Sequence, residues 1–349
     1  MKFGVVTKNT RVSPMVGYLF RRVLWFIPLV VGTLLTTFII ARIMPGGPFD
    51  AVGDRVLPAS VRINLEKKYH LDWPVWKQFI SYLIGDEVFS VSGGSRGVLR
   101  GDFGVSYRYR GYTVTDIIKH SLPISVQLGL LALAIGVGVG IPLGIIAAWH
   151  VNSLLDRLAT TFAVIGASVP TMVTGPLLIW IFALTLKWLP PGLWGAEPPF
   201  FLGFLPYPDL QFWKHAILPA CALSFSITAV LARLTRASLL QAIGEEYIKT
   251  ARAKGVSETT VCLKHAMRNS LIPIVTVIGP IAANVLTGTV VTEQVFGIPG
   301  MGKYFVESVV NRDYTVLLGV TLIFSFFIIA ANLLVDILYA LIDPRISYA

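Results

Sequence analysis

The chain has 349 residues, 54% of them apolar and only 14% charged, with a mean hydropathy of +0.70. An ordinary soluble domain carries about 25% charged residues, so a water-soluble globule of this size is excluded. The formal net charge of +10 raises anionic lipid or nucleic acid as counterparts. No RNA- or DNA-binding motif surrounds the basic residues, so nucleic acid is set aside and the charge is read as topology and lipid contact.

Residues 1–22 hold five basic side chains (Lys2, Lys8, Arg11, Arg21 and Arg22) and no acid; they read as a cytoplasmic N-terminal segment. Val23–Ala41 follows, the first of six runs of at least 18 residues without Asp, Glu, Lys or Arg. The others are His120–Leu155, Leu158–Leu186, His215–Ala232, Asn269–Thr292 and Tyr314–Val335. A hydrocarbon core about 30 Å thick takes about 20 residues of helix. In lipid every backbone polar group must be satisfied within the protein, and these runs are continuous rather than alternating, which selects helices over a barrel. The fold class is therefore an all-α polytopic membrane protein with six transmembrane helices. The first helix, placed at 23–44, is too long for a cleaved signal peptide, and its exit through Ala41-Arg42-Ile43-Met44-Pro45 lacks a small-residue cleavage site.

Between the first two helices, 45–119 reads as a small extracytoplasmic subdomain, since 42–119 carries 19 charges in 78 residues. Asp72-Trp73-Pro74 predicts a helix start with Asp72 as cap. Val75, Trp76, Phe79, Ile80, Leu83 and Ile84 then share one face, to pack on neighbouring parts of the chain or on a partner. Ser90–Gly97 is rich in Gly and Ser and is expected to be mobile.

Residues 120–349 form a core domain with the remaining five helices. In the second helix Gly136, Gly140 and Gly144 make a small-xxx-small row, suited to close helix packing or to lining a moving pathway. The loop Trp188–Trp213 carries six prolines among aromatics; it is expected to lie along the outer interface. Polar residues in the spans are few: Gln127, Asn284, Asn332 and Asp336, with Glu293 at a span end. Asp336 falls near the cytoplasmic end of the last helix and is expected to pair with Arg233 or Arg236. Short loops on the N-terminal side hold fourteen basic residues against four opposite, which places both termini in the cytoplasm. Cys221 and Cys262 fall in different environments, the five histidines have no metal-ligand spacing, and no phosphate-binding loop is present. No catalytic residue, metal or cofactor is expected in this chain.

One cytoplasmic segment is chemically distinctive, 241–268, reading QAIGEEYIKTARAKGVSETTVCLKHAMR. Glu245 to Ala253 is good helix sequence, Gly255 suits a left-handed stop, and Ser257 with Glu258 suits the start of the next helix. The result is a helix–turn–helix projecting from the membrane, a handle for a partner or a merely solvated basic loop.

The string Tyr247-Ile248-Lys249-Thr250-Ala251-Arg252-Ala253-Lys254-Gly255, followed by His265-Ala266, Arg268-Asn269 and Pro273, resembles the coupling loop of permease subunits of ATP-binding-cassette importers, in the peptide and nickel branch. Against the general form of that loop only Ala251 and Gly255 match; Lys249 and Thr250 replace its first two triplet residues, and His265 and Arg268 replace its later Ile and Pro. Other segments agree along the chain: Met44-Pro45-Gly46-Gly47-Pro48-Phe49, Glu66 to Leu71, Gly101-Asp102-Phe103-Gly104, Glu293 to Gly302, Asn311 to Tyr314, and Asp343-Pro344-Arg345. The likeness is to B-type membrane subunits of oligopeptide permeases; the stretch 86–100 looks longer than usual for them.

The resemblance implies the type I importer permease arrangement of six helices in a bacterial cytoplasmic (inner) membrane. It implies a second related permease subunit, two cytoplasmic ATPase subunits that bind the ATP and Mg, an extracytoplasmic solute-binding protein, and a peptide substrate. Tyr247, Thr250, Ala251, Arg252, Lys254 and Gly255 are then the expected ATPase-docking residues, with Arg252 and Lys254 facing acidic groups. Phe296–Gly302 and Asn311–Tyr314 would face the binding protein or shape the outer loop. Dipeptides, nickel complexes and oligosaccharides are alternative cargoes. An ion-coupled secondary transporter is the alternative class, although it ordinarily needs buried ionisable groups that are scarce here.

Overall fold

The computed structural model describes residues 12–52, 55–89, 94–197, 200–206, 209–287 and 289–342. Within them lie thirteen α-helices and one antiparallel pair of two-residue strands, β1 (Ala51–Val52) and β2 (Arg55–Val56). The helices are α1 (Val12–Ile43), α2 (Ala59–Lys68), α3 (Val75–Ile84), α4 (Val114–Trp149), α5 (Leu154–Ser168), α6 (Thr171–Leu178), α7 (Leu210–Ile243), α8 (Glu246–Ala253), α9 (Glu258–Thr260), α10 (Met267–Leu286), α11 (Val290–Val295), α12 (Met301–Val310) and α13 (Tyr314–Ile342). A π-helical turn, Val261–Ala266, joins α9 to α10 in one rod. Five helices (α1, α4, α7, the α9–α10 rod and α13) are long and apolar enough to cross a membrane, and the bent pair α5–α6, whose second arm runs on through a π-helical stretch to Thr185, makes six when taken as one span.

Several boundaries differ from the charge-based ones, because caps and prolines decide them. α1 begins at Val12, upstream of residue 23. α4 begins at Val114, ahead of residue 120, because Thr113 and Asp116 form a reciprocal capping box. The third span is broken: Val169 is extended (φ −88°, ψ 119°), as a residue before proline prefers, and beyond Pro170 the chain turns by 108°. At α3, Pro74 stands at the cap position instead of Asp72. Lys2, Lys8, Arg11, Asp343-Pro344-Arg345 and part of the Gly/Ser-rich stretch at 90–97 lie outside the described residues.

Two packing regions position everything else. The main core joins α4, α7 and α10 with α6 and the 188–213 loop, through Leu128, Ala132, Leu223, Ile227, Leu231 and Ile274. The subdomain seats α3 on α1 and α13, with Phe79 and Leu83 against Leu34, Phe38 and Leu318. Only part of the expected α3 stripe is used, since Val75, Trp76 and Ile84 are exposed. Arg42 fixes this seat: its Nε and Nη2 donate to Gln78 Oε1 at 2.9 and 2.8 Å, and its guanidinium lies 3.3 Å above the Phe38 ring.

The 188–213 loop does not simply lie on an interface. Trp194 and Phe200 are buried, Trp194 Nε1 donates to Gln127 Oε1 at 2.7 Å, and Gln127 Nε2 donates to the Phe204 carbonyl at 2.6 Å. The one amide inside α4 thus satisfies the loop that doubles back into the core. Phe296 and Ile298 are likewise buried in the main core, Met301 packs with Val114 and Ile117, and Asp313 accepts from Ser106 Oγ at 2.5 Å and from the Arg108 amide at 3.2 Å, so the first motif is largely core and the second braces the subdomain.

Candidate coupling surface and solute cavity

α8 sits across one end of the helical bundle. Ile248 and Ala251, three residues apart and so on one face, are buried against Leu239 and Ala242 of α7, Ala148 of α4, and Val261, Cys262 and Ala266 of the α10 rod. Full burial of an isoleucine contributes about 2 kcal/mol. Three long helices thus hold α8 in place. The turn that follows is equally defined. The Gly255 amide donates to the Arg252 carbonyl at 2.9 Å and the Val256 amide to the Ala251 carbonyl at 3.3 Å, with Gly255 at φ +77°. These are the two bonds of a Schellman stop, and Gly tolerates its left-handed residue.

Of the six residues expected to meet an ATPase, Tyr247, Thr250, Arg252, Lys254 and Gly255 are exposed. Ala251 is not: it belongs to the face that seats α8 on the bundle, so its small side chain serves internal packing. Arg252 already has a partner, Nε to Glu258 Oε1 at 2.8 Å and Nη2 to Glu258 Oε2 at 3.1 Å, a fork that spans the Gly255 turn. Ser257 occupies the cap position of α9, but its hydroxyl bonds to Thr260 Oγ1 at 2.9 Å and caps no amide.

The glycine row faces α7. A β-carbon at Gly136 would stand 2.5 Å from Ile227 Cγ2, one at Gly140 2.8 Å from the Thr228 carbonyl, and one at Gly144 2.5 Å from Thr235 Cβ. Close packing is what these glycines do. None of them lines the cavity described below.

The expected pairing of Asp336 with Arg233 or Arg236 is corrected. Asp336 on α13 meets Arg22 on α1 at 2.9 Å, because α13 packs against α1 there. Arg236 instead holds Asp156 at the start of α5, Nε to Oδ1 at 2.6 Å and Nη2 to Oδ2 at 2.8 Å, and Asp156 is buried. Arg233 is exposed. The actual partners, Arg22 and Asp156, border charge-free runs.

Beyond the end of the fifth span, Glu293 is buried and receives Ser125 Oγ at 2.7 Å and the Lys303 amide at 3.3 Å. Burial pushes its carboxyl up from the ordinary glutamate range, against the opposing effect of these bonds.

A cavity of about 560 Å³ opens beside the α5–α6 break. Its walls come from that break (Thr171), from α7 (Ser226, Ile227), from α10 (Asn284) and from the segment Thr289–Thr292. Among the described residues none of those lining it is charged. Of its lining residues the sequence marks Asn284 as a polar residue within a span; Pro170, where the chain bends, is one of several prolines in the apolar runs and does not stand out among them.

With this geometry in hand, comparison with known proteins decides the family. Residues 140–348 match the model of the binding-protein-dependent transport system inner membrane component. The chain belongs to that family. It is 36% identical over 334 residues to the oligopeptide transport system permease protein OppB of Haemophilus influenzae, covering 96% of this chain and 100% of the relative. It is 39% identical over 319 residues to the dipeptide transport system permease protein DppB of Bacillus subtilis, covering 91% of this chain and 93% of the relative. A solved structure of the MetNI methionine ABC transporter in inward-facing conformations aligns with a TM-score of 0.48 at 15% identity, covering 65% of this chain and 94% of that one. Membership makes the chain a multi-span inner-membrane permease component of a binding-protein-dependent transport system, and sets aside the ion-coupled secondary transporter.

Proposed function

We propose that the chain forms one half of the translocation pathway of an ATP-driven oligopeptide importer and takes its driving force through α8. The observation that carries this reading is the seating of α8: a short helix held by α4, α7 and the α10 rod, with Tyr247, Thr250 and Lys254 left outward. A displacement of α8 moves α7 and α10 with it, and those two helices wall the cavity. ATP-driven closure of two partner ATPases, which bind the ATP and Mg, then biases the permease between inward- and outward-open states. Shifting such an equilibrium from 1:99 to 99:1 takes about 5.5 kcal/mol of differential binding. The α8 end faces the cytoplasm with both termini, and the subdomain end meets a solute-binding protein; a second related permease subunit completes the pathway.

Oligopeptides are favoured by near-full-length likeness to oligopeptide permeases. Dipeptides are the second reading, from the likeness to the B. subtilis dipeptide permease. Reconstitution of the complex purified from its own membranes tests both. Uptake of labelled tri-alanine or di-alanine that requires ATP and the binding protein is expected. Uptake driven by an ion gradient without ATP would overturn the proposal.

A further inference from the structure

A second cavity, of about 570 Å³, lies between the subdomain and the ends of α1 and α13 nearest to it. Phe38 and Arg42 line it from α1, and Tyr314, Thr315 and Leu318 from α13. Phe38 stands five residues before the end of α1, and Leu318 four after the start of α13. At 1.5 Å per residue the cavity therefore lies within about 8 Å of both helix ends. That is about the depth of one headgroup layer, half the difference between a hydrocarbon core of about 30 Å and a whole bilayer of about 40–45 Å.

The charged side chains on its wall leave hydrogen-bond donors to spare. The Arg42 guanidinium lies 3.3 Å over the Phe38 ring and 5.2 Å from the Tyr314 ring. Three of its N–H groups go to Gln78 and the Phe38 carbonyl, and a guanidinium has more to give. Lys68, also on the wall, lies 5.5 Å from the Tyr69 ring. Among the described residues neither cation forms an ion pair. The two carboxylates on the wall, by contrast, are engaged. Asp86 accepts from Ser81 Oγ and from the Ser95 amide at 2.8 Å, and Asp102 accepts from the Arg96 and Gly104 amides at 2.8 and 2.9 Å. A group rich in acceptor oxygens and negatively charged fits such a wall, and a phosphodiester is both. On α1, beside Phe38, Leu35 and Ile39 are exposed, an apolar surface that a soluble phosphate would leave bare and acyl chains would cover.

We propose that this cavity holds the phosphodiester headgroup of a membrane phospholipid, met by Arg42 and Lys68, with its acyl chains on α1 beside Leu35 and Ile39. The lipid then ties the subdomain to the first and last spans.

The test uses the purified complex in detergent with phosphatidylglycerol that carries a diazirine near the glycerol end of one acyl chain, irradiated and mapped by peptide mass spectrometry. Adducts within 35–42, 68–71, 104–107 or 314–318 should be enriched over adducts elsewhere on the same chain. Lys68→Glu reverses an exposed charge and should cut the cavity adducts by about fivefold or more, leaving the other adducts and the unfolding midpoint as they are. Arg42→Gln should cut them as well, and the ratio within one chain corrects for loss of folded protein. A diacylglycerol with the same diazirine and no phosphate should label the other sites and spare the cavity. Unlabelled phosphatidylglycerol should compete at the cavity, and glycerol 1-phosphate should not. Equal competition by glycerol 1-phosphate overturns the proposal in favour of a soluble phosphate. Cavity labelling that is absent, equal for diacylglycerol or unchanged by Lys68→Glu overturns it outright, and none of these outcomes touches the importer reading.

Discussion

The contact between α4 and α7 can be tested with two glycines in the same helix. A β-carbon at Gly140 would lie 2.8 Å from the Thr228 carbonyl oxygen and 3.0 Å from Leu231 Cβ, whereas one at Gly138 meets nothing within 4 Å. Both substitutions to alanine gain the same helix preference, about 1 kcal/mol. Only Gly140→Ala also forces the helices apart, at about 1–3 kcal/mol for overpacking. The two variants should therefore differ by about 2 kcal/mol, or about 3 °C in unfolding midpoint for a chain of this size. Two free thiols report unfolding directly: Cys262 is buried and Cys221 half-buried. A fluorogenic maleimide followed during a thermal ramp should give Gly138→Ala a midpoint at or above that of the unmodified chain and Gly140→Ala a clearly lower one. Equal midpoints for the two variants would refute the packing argument.

Three further outcomes follow from the same geometry. Arg236→Ala strands the buried Asp156 carboxylate and should cost about 3 kcal/mol, with Arg236→Lys intermediate for want of the two-pronged fork; pairing Asp156→Asn with Arg236→Met should recover most of the loss in the same ramp. Gly255→Trp meets no neighbour but brings left-handed strain at φ +77°, which Gly255→Ala shares without the bulk; the Ala variant should keep peptide uptake while the Trp variant hydrolyses ATP without it, and normal uptake by the Trp variant would refute the assignment of this turn as a docking element. Glu293 has a raised folded-state pKa, so its contribution is fully present below the ordinary glutamate range and declines as pH rises through the folded value. Glu293→Gln should then be more stable than the unmodified chain at pH 8, and the advantage should vanish at about pH 4.

The six spans were legible because lipid imposes one requirement on all of them, a run long enough to cross without charge. The details that charge could not show were set locally. Thr113 starts α4 ahead of the apolar run, and Pro170 splits a run that hydropathy reads as continuous. In the 241–268 segment the helix and the Gly255 stop follow from local propensity, whereas Tyr247 and Lys254 were expected outward through the family resemblance. Ala251 was misplaced because an alanine looks alike on a docking face and a packing face; only the positions of Leu239 and Val261 distinguish them. Asp336 and Arg236 found other partners because helix adjacency is a tertiary fact: α13 lies on α1, and α5 lies on α7. The cavity was nearly invisible, since threonine and serine are common in apolar helices and nothing in their spacing marks Thr171, Ser226 and Thr292 as sharing one wall.

The central claim is that α8 is where the driving ATPase grips this permease. Tyr247 is exposed on α8 at 38%, and Trp76 is exposed on α3 in the subdomain at 60%. A photo-crosslinking amino acid placed at each position in turn, with irradiation in native membranes and mass spectrometry of the adducts, reads the neighbour directly. An adduct between position 247 and a phosphate-loop ATPase, absent from position 76, is the predicted result; a chain that crosslinks at 247 only to lipid or to itself contradicts the account.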